Sequence, residues 1–149
     1  MSQRSADAAE FLADAELAAV KQAIHEAELR TSAEIRVHLE SHVEGSILDH
    51  AAAVFDELGM SRTKLRNGVL VYVSVADRQL AVIGDQGIHH HVGPGFWQQV
   101  LEEILKGFRT DRPAAGLVAG IGLLAQALAR YFPRQADDHN ELPNDVSIG

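Results

Sequence analysis

The side chains best suited to chemistry are Glu34, Asn67 and Asp85, with Arg66 and Gln86 beside them. Two carboxylates next to an amide and backbone carbonyls form a set that suits a hard cation such as Ca²⁺ or Mg²⁺. No spacing in the chain matches the twelve-residue EF-hand loop, so a Ca²⁺ site here is of another type. The bland alternative stands beside this one. Asp85, in Gly84-Asp85-Gln86-Gly87, can shape a turn through its own backbone. Glu34 and Arg66 can form an ordinary ion pair at strand ends, where exposed pairs contribute little. The His89-His90-His91 run invites a transition-metal reading, but adjacent histidines on a helix point about 100° apart. A solvated helix start is the simpler account. No Ser-His-Asp order, cysteine nucleophile, P-loop or H-E-x-x-H motif occurs.

These residues lie far apart along the chain, so the elements between them must bring them together. Gly68 to Val75 is almost continuously apolar, the pattern of a strand covered on both faces. Ala76-Asp77-Arg78 is too short for a crossover, so Leu80 to Ile83 returns as an antiparallel hairpin strand. Upstream, Glu34 to Glu40 alternates with period two, placing Ile35, Val37 and Leu39 on the core face. Arg36, His38 and Glu40 then share the other face, read as wet surface. Between the first two strands, Ile47, Ala51, Val54, Phe55 and Leu58 recur at helical spacing, with Ser46 as N-cap and Gly59 as the terminating glycine. This βαβ unit makes the two strands parallel. Glu34, Arg66-Asn67 and Asp85 therefore fall on one rim of the sheet. Ser41-His42 and Asp77-Arg78 fall on the other, the carboxyl rim that ligands of parallel sheets favour. The first rim carries the denser polar set.

Three more helices complete the pattern. The first runs from about Asp7 to Leu29 on a largely alanine stripe. Another is built on Phe96, Trp97, Val100, Leu101, Ile104, Leu105 and Phe108. The last is capped by Thr110 or Asp111, has Pro113 in its first turn and ends near Tyr131. The expected fold is a three-layer α/β/α sandwich with a small mixed sheet. One domain over residues 1–133 precedes a polar acidic tail over 134–149, a composition that is usually disordered.

The chain has 149 residues, the size of one domain. Cysteine is absent, which excludes disulfides and thiolate metal sites. A formal charge of −8 disfavours nucleic acid. The apolar run Ala114 to Leu128 is interrupted by three glycines and is shorter than the roughly 20 residues of a bilayer span. The N-terminus lacks the basic and apolar regions of a signal peptide. The expectation is a cytoplasmic monomer with no membrane span.

Arg66-Asn67-Gly68-Val69-Leu70, the Asp77-Arg78 turn, Gly84-Asp85-Gln86-Gly87-Ile88, Phe96-Trp97, Phe108, Gly116-Leu117 and Phe132-Pro133 together resemble the TPM domain family. The likeness covers most of the chain from about Ala33 to Pro133. Asp137-Asp138-His139-Asn140-Glu141-Leu142-Pro143 further resembles a bacterial branch of short, soluble members. The resemblance implies an α/β/α sandwich, divalent-cation binding (notably calcium), acid phosphatase-like activity in a plant branch, and a part in assembly or repair of membrane complexes. The family's acidic loop residues carry over to Asp77 and Asp85. Three readings follow. The first is a non-enzymatic module that takes a divalent cation on the Glu34/Asp85 rim and meets a protein partner. The second is a metal-assisted phosphohydrolase in which Arg66 neutralises the phosphate and Asp85 holds the ion. The third is a purely structural partner whose tail docks on the domain.

Overall fold

A computed structural model describes residues 4–135 and 146–149. The elements follow in the order α1 (Asp14–Glu28), β1 (Glu34–Glu40), α2 (Ile47–Glu57), β2 (Gly68–Ser74), β3 (Gln79–Gly84), α3 (Gln86–His89), α4 (Pro94–Arg109), α5 (Pro113–Tyr131) and β4 (Val146–Ile148). One 3₁₀ turn, Met60–Arg62, lies between α2 and β2. The four strands form one sheet in the order β3-β2-β1-β4. β1 and β2 run parallel with Glu34 opposite Gly68, and β2 and β3 run antiparallel with Val69 opposite Gly84. This is the mixed sheet expected of the βαβ unit and hairpin.

Every residue of β2 is buried, because helices cover both faces of the sheet. On one face Ile35, Val37 and Leu39 of β1 join Val69, Val71 and Val73 of β2. They pack against Val20 and Ile24 of α1 and Leu117, Ile121 and Leu124 of α5. On the other, Leu70 and Tyr72 pack under Ala51 and Phe55 of α2 with Met60 and Ala81. α5 is the one helix among the described residues with the length and composition of a membrane span. Here it is a core helix, with nine buried residues along its length.

Four local expectations are corrected. The first helix begins at Asp14 rather than Asp7. Asp7 instead folds its own turn, its carboxylate accepting from Ala9 N–H at 2.9 Å and its carbonyl from Glu10 N–H at 3.0 Å. Phe11 and Leu12 are buried from this non-helical segment. α5 starts after Arg112 with no side-chain cap, Pro113 supplying the first turn, so neither Thr110 nor Asp111 caps it. His38 is not on a wet surface. It is 6% exposed, its ring stacked on Tyr72 at 5.3 Å. Its Nδ1 lies 2.7 Å from Ser147 Oγ and its Nε2 3.1 Å from Glu40 Oε1. The second sheet face is covered, so period-two alternation does not mark solvent here. Finally, Val146–Ile148, inside the segment expected as a polar tail, pairs parallel with β1, Val37 opposite Val146 and Leu39 opposite Ile148. Asp137, Asp138, Glu141 and Asp145, the acidic residues of that segment, lie outside the described residues.

Candidate functional site

The rim at the start of β1 and β2 is built by two loops that touch. In the first, Thr63 Oγ1 accepts from Asn67 N–H at 3.1 Å and Arg66 takes a positive φ of 51°. In the second, Gly87 N–H donates to Arg66 C=O at 2.9 Å, and Asp85 N–H donates to Gly68 C=O at 2.9 Å. The approach is close enough that a Cβ on Gly87 would stand 2.1 Å from Leu65 C=O. Only glycine fits there. That contact explains the last glycine of Gly84-Asp85-Gln86-Gly87 better than a ligand does.

Glu34, Asn67 and Asp85 therefore share one rim, as strand direction requires. Asp85 is 7% exposed and already engaged. Its carboxylate accepts from Arg66 Nε at 2.9 Å and Nη2 at 3.2 Å, and from Gln86 N–H at 2.7 Å, capping α3. Arg66, the candidate for a phosphate, is committed to this two-pronged pair, which holds its guanidinium above its ordinary pKa. Asn67 is different. It is 1% exposed, and neither its Oδ1 nor its Nδ2 has a hydrogen-bond partner among the described residues. Buried amides left in that state are rare. Glu34 is a buried carboxylate at 4% exposure on the same rim.

Sequence reasoning passed over a third buried carboxylate, Glu28, at 3% exposure. It sits in the last turn of α1, which leads through Thr31 to the start of β1. Arg134 Nη1 donates to the Glu28 carbonyl at 2.8 Å. The available signal was its position, since an acid at a helix C-terminus opposes the helix dipole.

Asp77 lies on the opposite rim. Its carboxylate accepts from Ser74 Oγ at 2.6 Å and Val43 N–H at 2.9 Å, and meets His42 Nδ1 at 2.9 Å. These contacts, the Ser74 hydroxyl foremost, hold Asp77 below its ordinary pKa. Glu44 and then Asp77 hold His42 above its own. The three histidines do not converge: His89 Nε2–H donates to Gly84 C=O at 3.0 Å, while His91 stacks on Tyr131 at 4.9 Å. Among the described residues no three His, Asp or Glu side chains are grouped to hold a metal.

The geometry meets its relatives at this point. The family profile described as TPM domain matches residues 5–127. The chain belongs to the TPM domain family. This TPM domain is similar to the BA42 protein of the psychrophilic bacterium Bizionia argentinensis, solved by NMR. The two share 46% identity and a TM-score of 0.89, over 94% of this chain and 97% of that one. It also shares its fold with the N-terminal domain of a P. gingivalis protein. There the identity is 19% and the TM-score 0.68, over 91% of this chain and 85% of that one. No curated protein matches the chain.

Proposed function

We propose that this TPM domain is a non-enzymatic module that binds a divalent cation, Ca²⁺ or Mg²⁺, at the Glu34/Asn67 rim. The observation that carries the reading is the amide of Asn67, buried at 1% exposure with both polar atoms lacking hydrogen-bond partners among the described residues. An amide oxygen on the same rim as buried carboxylates is a donor type that suits a hard cation. Glu34, opposite Gly68 in the strand register, supplies a carboxylate from the same rim, and Asp85 contributes after exchanging part of its pair with Arg66. Among the described residues no cysteine or activated serine accompanies the set, and the Arg66 guanidinium is held by Asp85. Binding without turnover is the simpler function.

Isothermal calorimetry with Ca²⁺ and with Mg²⁺ tests this. Saturable heat at millimolar concentrations or below is expected. Glu34→Gln and Asn67→Ala should each weaken affinity by about tenfold or more, the scale of losing a ligand or its support. Asp77→Asn should leave it unchanged. A phosphatase assay on a generic ester, with and without EDTA, should show no metal-dependent turnover. Metal-dependent turnover lost in Arg66→Ala would replace this reading with the phosphohydrolase.

A further inference from the structure

The opposite rim holds a cavity of about 100 Å³, lined among others by Arg4, Phe11, Ala76, Arg78, Phe108 and Asp111. It sits where β2 ends, at the carboxyl edge where α/β sheets place their ligands. Its floor is aromatic, Phe11 and Phe108 stacking with centroids 5.9 Å apart.

Two observations single it out. The described residues include three non-glycine residues at positive φ, namely Arg66 (51°), Arg78 (52°) and Asp111 (56°). Two of the three line this one cavity. Arg78 occupies the left-handed position of a hairpin turn where glycine or asparagine is the default. Strained backbone of this kind gathers at ligand sites when the side chain it carries is needed there. The second observation is charge. Arg4 is neutralised, its Nη1 and Nη2 donating to Glu16 at 2.7 and 2.6 Å and its Nε to Asp111 at 3.1 Å. The neighbouring carboxylate of Asp77 is taken by Ser74, Val43 and His42. Among the described residues no hydrogen bond or ion pair engages the Arg78 side chain. Of the two arginines that line the cavity, Arg78 is therefore the one whose guanidinium is left to meet a ligand, and Phe11 and Phe108 line the same cavity.

We infer that this cavity binds the carboxylate of a small organic acid, Arg78 clamping the two oxygens and Phe11 and Phe108 taking a short apolar stem. One available guanidinium matches one negative charge, and Asp111, a carboxylate in the same lining, disfavours the higher charge of phosphate. The volume, about that of three waters, admits a carboxylate with one or two carbons behind it. This site is independent of the cation rim and shares no residue with it.

The test is an amide-detected NMR titration of the full chain with acetate, phosphate and chloride at matched ionic strength, repeated on Arg78→Gly. Glycine removes the guanidinium while relaxing the positive φ, so the variant should melt at or above the parent temperature. Acetate is expected to give saturable shifts at Ala76, Arg78 and Asp111. In the variant its affinity should fall by about tenfold or more, the factor carried by a lost charge-assisted hydrogen bond. Chloride reproducing the acetate shifts would reduce the effect to screening and overturn the site. Tighter saturation by phosphate would overturn the carboxylate assignment. Unaltered acetate binding in Arg78→Gly would remove Arg78 from it.

Discussion

Tyr72 shows how a single residue reports on the fold around it. The residue is 1% exposed in the middle of β2, and its hydroxyl donates to Glu40 Oε1 at 3.4 Å. Burial first, then the negative charge of Glu40, pushes its pKa up to about 12 from 10.0. Because the folded value lies above the unfolded one, the contribution of Tyr72 to stability is complete below pH 10. It is lost as pH climbs through about 12. In a Tyr131→Phe variant the remaining phenol should ionise near pH 12 by ultraviolet absorbance, together with loss of structure by circular dichroism. Ionisation near pH 10 in the folded state would show Tyr72 to be far more solvated than described.

At the scale of elements, α4 and α5 are set by glycine. A Cβ on Gly116 of α5 would stand 2.5 Å from Ile104 C=O and 3.0 Å from Gly107 Cα, so the two backbones touch there. Gly116→Ala gains about 1 kcal/mol of helix propensity. It must also push apart two backbones that cannot repack, at about 1–3 kcal/mol and upward. The clash wins. Urea denaturation should give a lower midpoint with an unchanged slope, by up to about 2 kcal/mol net of the propensity gain, and an equal or higher midpoint would disprove the close approach. The helix periodicities and the period-two strand were legible in sequence because each buries a contiguous stripe. The start of α1 was not. Ala8, Phe11 and Leu12 recur as a helix would place them, yet Asp7 folds its own turn and the apolar residues are buried from a loop. β4 escaped for a similar reason: Val146-Ser147-Ile148 is too short to show a period, and its strand character comes from pairing with β1.

At the scale of the whole molecule, chain routing was the most legible feature and side-chain commitment the least. Period and connection length sufficed to place Glu34, Asn67 and Asp85 on one rim and Asp77 on the other. Nothing in the sequence said that Asp85 would be spent on Arg66, or that Asn67 would be left without a partner. Those outcomes depend on rotamers and on the contact at Gly87, which carry no periodic signature. Glu28 was overlooked, His38 was read as wet surface and Arg78 only as part of a turn, since burial and strain are properties of the assembled chain. The account turns on whether a divalent cation goes to the rim where β1 begins. Chemical-shift mapping during a Ca²⁺ titration answers this directly. Amides of Ala33 to Ile35, Arg66 to Gly68 and Gly84 to Gln86 should move together with one half-saturation point, while Ser41 to Val43 and Ala76 to Arg78 stay in place. Shifts confined to the Asp77 end, or none at millimolar Ca²⁺, would contradict it.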